Sequence, residues 1–130
     1  MRVDQKPFDD LRVRRALNLA VNQQEIVDHF YGGHAELMAY PQHPEFGEYF
    51  EPLEAMPNAV QELFTYDPEE ARRLLDEAGV PEGFSFDLQV CSCSPSHMDL
   101  VPLLESYFAQ VGLKTNIQTM EYASFLSTMT

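Results

Sequence analysis

Cys91 and Cys93 are the chain's only cysteines, and a thiolate is both a strong nucleophile and a soft metal ligand. One residue separates them. In an extended strand that spacing is poor for a disulfide between the two, and it is not the CxxC spacing of a redox or zinc pair. The expectation is two structural thiols, exposed or half-buried, which leave the compartment undetermined. A thiol enzyme would also need a histidine within hydrogen-bond reach and a depressed thiol pKa, and the spacing supplies neither. His29, His34, His43 and His97 lack the paired spacing of a helix-borne metal site, so surface histidines, no metal and no cofactor are expected.

The charged clusters carry little chemistry of their own. Glu45, Glu48, Glu51 and Glu54 recur at regular spacing, but a calcium loop needs denser oxygen ligands and a turn glycine, so they read as a solvated edge. Arg12, Arg14 and Arg15 have no glycine-rich loop beside them and are expected to pair with acidic neighbours rather than phosphate. Twenty-one acidic against eight basic residues give a formal charge of -13. That charge repels nucleic acid and anionic lipid, and it solubilises the surface. A standalone acidic interaction domain is the alternative function class, and charge is its only support.

These residues must be held by a core, and 130 residues with 45% apolar and 12% aromatic content suffice for one domain. No apolar run approaches the roughly 18 residues of a membrane span, and Met1 to Asp10 lack the apolar core of a signal peptide. Asp9 and Asp10 precede Leu11, Val13, Ala16, Leu17, Ala20 and Val21, an apolar stripe at helical spacing. Asn22 with Glu25 predicts a second, capped helix running through Ile26, Val27 and Phe30 to Gly32-Gly33. Residues 1–33 thus form a helical opening.

Prolines at 41, 44, 52 and 57 break residues 34–65 into an irregular excursion, expected to be pinned by Phe46, Tyr49, Phe50, Leu53 and Met56. Order returns in residues 66–130. Asp67-Pro68-Glu69-Glu70 opens a helix with buried Ala71, Leu74, Leu75 and Ala78, a Glu69–Arg73 pair, and Gly79 as its stop. Phe84, Phe86, Leu88 and Val90 then alternate as one face of a strand, with Cys91 on the other. Leu100, Leu104, Phe108 and Val111 follow at helical spacing. Pro102 fits a helix capped at Asp99 and would kink one begun at Ser96. Leu113 to Met120 alternate again, and a last helix opens near Ser124.

The pattern is α/β: a β-α-β unit with flanking helices, its strands parallel because the connection is long. Two strands make a marginal sheet, so either Met1 to Gln5 adds an edge strand or further sequence completes it. In open α/β folds ligands meet the carboxyl ends of parallel strands, here Cys91 to Ser96 and Glu121 to Ser124. Ser92, Ser94, Ser96, Glu121 and Tyr122 are the candidate ligand-binding residues, although serines there also serve as turn and cap residues.

Residues 7 to 33, PFDDLRVRRALNLAVNQQEIVDHFYGG, resemble the segment that opens the second lobe of family 5 extracellular solute-binding proteins. The resemblance resumes at YDPEEARRLLDEAGVPEGFSFDLQV, residues 66 to 90, and at LLESYFAQVGLKTNIQTMEYASFL, residues 103 to 126. It implies a fragment of a type II periplasmic binding protein-like lobe. It also implies an export signal and first lobe upstream and a return crossing downstream. The function it implies is capture of peptides, nickel chelates or similar small solutes outside the cytoplasm, delivered to an ABC transporter permease at the membrane. Dipeptide carriers of the family place a basic residue in the first loop, where this chain reads Cys91-Ser92-Cys93-Ser94-Pro95-Ser96. A free dipeptide is therefore not the expected solute. The isolated polypeptide is expected to bind no family ligand tightly, and its sheet edge could pair with a second copy as a homodimer.

Overall fold

A computed structural model describes residues 3–37 and 44–128. Helix α1, Leu11–Leu19, begins where Asp10 accepts the backbone N–H of Arg12. Its buried stripe is Val13, Ala16, Leu17, Leu19, Ala20 and Val21, whereas Leu11, expected inside, is 65% exposed. Leu11 stands at the first helical position, outside the stripe that faces the core. Asn22 caps α2, Gln23–Glu25, through the Glu25 N–H. The chain then widens into a π-helical turn, Ile26–Phe30, in which Tyr31 N–H reaches the Ile26 carbonyl, so the helical run extends to Phe30 as its periodicity predicts but is α-helical only over its first three residues.

Short 3-10 turns at Pro44–Tyr49, Leu53–Ala55 and Glu62–Phe64, with α3 at Asn58–Gln61, build the excursion. Phe50, Leu53 and Met56 are half-buried, as an anchoring role requires. Phe46 and Tyr49 are exposed and pin nothing among the described residues.

Helix α4, Pro68–Glu77, follows its cap: Asp67 accepts the Glu70 N–H at 2.9 Å and Pro68 takes the first position. Ala16 of α1 and Ala71 of α4 are both fully buried, and two side chains that small let the helices approach closely. Arg73 pairs with Glu70 and Glu77, not with Glu69. Both Glu70 carboxylate oxygens lie 2.6 Å from Arg73 nitrogens, a two-pronged fit that Glu69 does not make. The glycine stop is a Schellman motif, with Val80 N–H on the Leu75 carbonyl and Gly79 N–H on Asp76. Gly79 has φ 74°, the left-handed conformation the motif needs.

β1, Ser85–Cys91, α5, Pro95–Gln110, and β2, Lys114–Met120, form the β-α-β unit, with β1 and β2 parallel in register from Ser85↔Lys114 to Cys91↔Met120. α5 ends in a second Schellman motif, Leu113 N–H on Phe108 and Gly112 N–H on Ala109. α5 starts at Pro95, earlier than either expected boundary, so Pro102 lies inside it and cannot donate to the Met98 carbonyl. Phe86 joins the sheet to α5 by an edge-on contact with Phe108, at 5.5 Å, and to the turn before α1 by one with Phe8, at 5.7 Å. α6, Tyr122–Thr128, opens two residues before Ser124 and packs back on β1.

One core joins α1, α4, α5 and the entries to both strands. Tyr107, 4% exposed, donates to the Glu25 carboxylate at 2.7 Å, tying α5 to α2. Burial, then that carboxylate, pushes its hydroxyl well above the ordinary tyrosine range, so it stays a neutral donor. Of the three arginines of α1, Arg12 pairs with Asp10 and Arg15 with Glu62, whereas Arg14 donates to the carbonyls of Phe8 and Asp9. Residues 3–5 form turns, so the sheet is two-stranded among the described residues.

Candidate functional site

Parallel pairing carries both strands off the same end of the sheet. Cys91 lies opposite Met120, so the β1–α5 loop and the start of α6 share one edge. Ser92 extends the ladder by one residue: its N–H and its hydroxyl reach the Met120 carbonyl at 2.9 and 3.2 Å. Ser94 and Ser96 share a hydroxyl hydrogen bond of 2.9 Å. Ser94 holds the N-cap backbone conformation of α5 without capping through its side chain, which leaves the hydroxyl to Ser96. Glu121 offers its carbonyl to Phe125 N–H, and Tyr122 is 56% exposed. All five candidates thus stand at the carboxyl ends of the strands, and four of them are exposed, Ser94 being half-buried.

The cysteines depart from the expectation. Cys91 and Cys93 are bonded to each other, with Cα atoms 5.2 Å apart. A strand that continued through Ser92 would hold them about 6.6 Å apart. Here the chain turns at Ser92-Cys93 as it leaves β1, and the turn closes the gap. The Ser-Pro that follows was the only local signal of it. Cys91 is also only 4% exposed instead of projecting from an open face, while Cys93 is exposed. Cys93 N–H lies 3.1 Å from the Cys91 sulfur. Joining residues two apart restrains the unfolded chain by only about 1.6 kcal/mol on the chain-entropy account, so the bond shapes a corner more than it staples a fold. With both sulfurs engaged, neither serves as the free thiolate that a thiol enzyme needs.

No group of three or more His, Cys, Asp or Glu among the described residues could hold a metal, and His43 lies outside them. Nor is any helix among those residues long and apolar enough to cross a membrane. Two open clefts, of about 410 and 350 Å³, sit at the other end of the sheet. Ala78 to Pro81 and Phe84 with Lys6 and Pro7 line the first, and Val80 to Glu82 with Gln110 to Leu113 line the second. None of the five candidates borders either cleft.

The chain is 34% identical over 128 residues to di/tripeptide-binding protein 1 of Pseudomonas aeruginosa, covering 95% of this chain and 22% of that protein. It is 32% identical over 126 residues to heme-binding protein A of Haemophilus influenzae, covering 94% and 22%. The crystal structure of a dipeptide-binding protein from Pseudoalteromonas sp. SM9913, in complex with Met-Leu, superposes over 98% of this chain and 24% of its own with a TM-score of 0.77 and 28% identity. The chain therefore spans about a fifth of the length of these curated relatives, which are binding proteins and not enzymes. The family match itself, to the bacterial extracellular solute-binding proteins, family 5 middle, runs over residues 1–130. With its α/β unit matching part of a periplasmic binding protein, this chain belongs to the family 5 bacterial extracellular solute-binding proteins.

Proposed function

We propose that residues 1–130 form part of the second lobe of a solute-binding protein that captures small solutes outside the cytoplasm and hands them to the permease of an ABC importer. Membrane association comes through the full-length protein. The observation that carries the reading is the shared carboxyl end of β1 and β2, where Ser92, Ser94, Ser96, Glu121 and Tyr122 present hydroxyls, a carboxylate and a phenol at an open edge. Such a surface contacts a polar solute through directed hydrogen bonds, with a partner lobe supplying the opposite wall.

Short peptides are the leading solute class, because the similar proteins include a di/tripeptide-binding protein, and chelated nickel is the second. The β1–α5 loop has no basic side chain between Cys91 and Ser96, so a free dipeptide carboxylate would find no cation there. Longer peptides, whose carboxylates lie further from the loop, suit it better.

Titration calorimetry of the two-lobed protein against dipeptides, a tetrapeptide library and nickel–histidine tests this reading. Binding of one of these solutes, weakened at least threefold by Tyr122→Ala, supports it; no heat with any of them counts against it. The 130-residue polypeptide alone should show no ligand-dependent rise in melting temperature, since half a cleft leaves one ligand face in water. Its two-stranded sheet has open edges among the described residues, and sedimentation of that polypeptide should show a homodimer at high concentration.

A further inference from the structure

We propose that Cys91 and Cys93 form a thiol–disulfide exchange site whose bond opens to small dithiols and recloses, switching the β1–α5 loop between a clasped and a free form. Three features of the corner support it. The two sulfurs differ in access, since Cys93 is exposed while Cys91 is 4% exposed, so an incoming thiolate reaches the Cys93 sulfur first. The leaving group is prepared, because Cys93 N–H already sits 3.1 Å from the Cys91 sulfur and donates to the thiolate as it forms. Cys93 also immediately precedes Ser94 at the N-terminus of the 16-residue α5, where the helix's partial positive charge favours a thiolate.

The exchange balances with a dithiol as the named reductant. Its first thiolate attacks the Cys93 sulfur and forms a mixed disulfide; the Cys91–Cys93 bond breaks and its electron pair leaves on Cys91. The second thiolate attacks the reductant's own sulfur, closing the reductant's disulfide and releasing Cys93. The dithiol gives up two electrons and two protons, and the two cysteines take them.

Opening the bond does not threaten the fold. Cys91 stands outside the core cluster that joins the helices, and the Ser92 N–H to Met120 bond still closes the ladder. What changes is the corner that carries Ser92, Ser94 and Ser96. The effect on solute capture rests on the solute-facing reading of that loop; the exchange chemistry does not.

The test uses no solute, so its failure and that of the solute reading are distinguishable. The protein, purified without reductant, is treated with dithiothreitol at neutral pH. Thiols are trapped with iodoacetamide and counted by intact mass, alongside circular dichroism and amide hydrogen exchange. The expected result is no trapped thiol before treatment and two together after it, at unchanged circular dichroism. Exchange over residues 92–96 should be about tenfold faster, unchanged at Leu88 and Ile117, and restored by oxidised dithiothreitol. Cys93→Ser should show the faster exchange without reductant. Two free thiols in the untreated protein, thiols that appear only as circular dichroism is lost, or exchange at 92–96 that reduction leaves unaltered would each overturn the proposal.

Discussion

The two ends of the β-α-β unit meet opposite demands. At the amino ends of β1 and β2 the chain enters through Val80 and Leu113, 8% and 4% exposed, each delivered by a Schellman motif from α4 or α5 into the shared core. At the carboxyl ends it leaves through Ser92, Ser94, Glu121 and Tyr122, whose polar groups sit at an open edge. The entering end has its backbone groups and apolar side chains satisfied internally, and stability resides there. The leaving end is polar and open, and on the proposed function it is the end that meets the solute. Substitutions should therefore sort by end: stability at the base, binding at the rim.

The largest effect belongs at the base. Leu74→Ala, in a side chain 6% exposed between α4 and the core, should cost about 3 kcal/mol in urea unfolding. A loss below about 1 kcal/mol would mean that the base is loosely packed and the contrast between the ends is weak. Gly79→Ala should cost roughly 1–2 kcal/mol from left-handed backbone strain alone, because an added Cβ there meets nothing within 4 Å. Asp67→Ala removes the α4 cap and should cost about 1 kcal/mol.

Acid acts on the base. Side-chain and backbone hydrogen bonds from Arg12 hold the Asp10 carboxyl down at about 2, below its ordinary 3.8. The ionised form is thus favoured in the fold, so its stabilisation is fully present above pH 3.8 and disappears as pH falls through about 2. Asp10→Asn keeps a good cap but loses the charge. Its deficit in melting temperature against the native protein should be constant above pH 5 and vanish near pH 2. The smallest effect belongs at the rim, where Ser96→Ala should leave stability within about 0.5 kcal/mol of the native protein.

The base was legible in the sequence because its signals are local. Asp67-Pro68 and Gly79 mark α4 by cap chemistry and backbone sterics, and Phe84 to Val90 mark β1 by a period of two. The parallel pairing followed from the length of the connection. Where structure and local pattern differ, distant contacts decide. The Asn22 helix turns π-helical after Glu25, whose carboxylate is met by Tyr107 from far along the chain. Phe46 and Tyr49 stay exposed because the apolar anchors of the excursion are Phe50, Leu53 and Met56. The rim was located by topology alone. Its disulfide has no signature in the strand alternation, which would run on through Ser92 to Cys93, where the chain already turns.

Hydrogen-exchange mass spectrometry of the proposed two-lobed protein, with and without a saturating peptide that calorimetry has shown to bind, separates base from rim. Exchange should slow over residues 91–96 and 120–124 and stay unchanged in α1 and α4. Protection centred instead on Lys6, Pro7, Gly79 to Pro81 and Phe84, around the cleft at the opposite end, would contradict that separation.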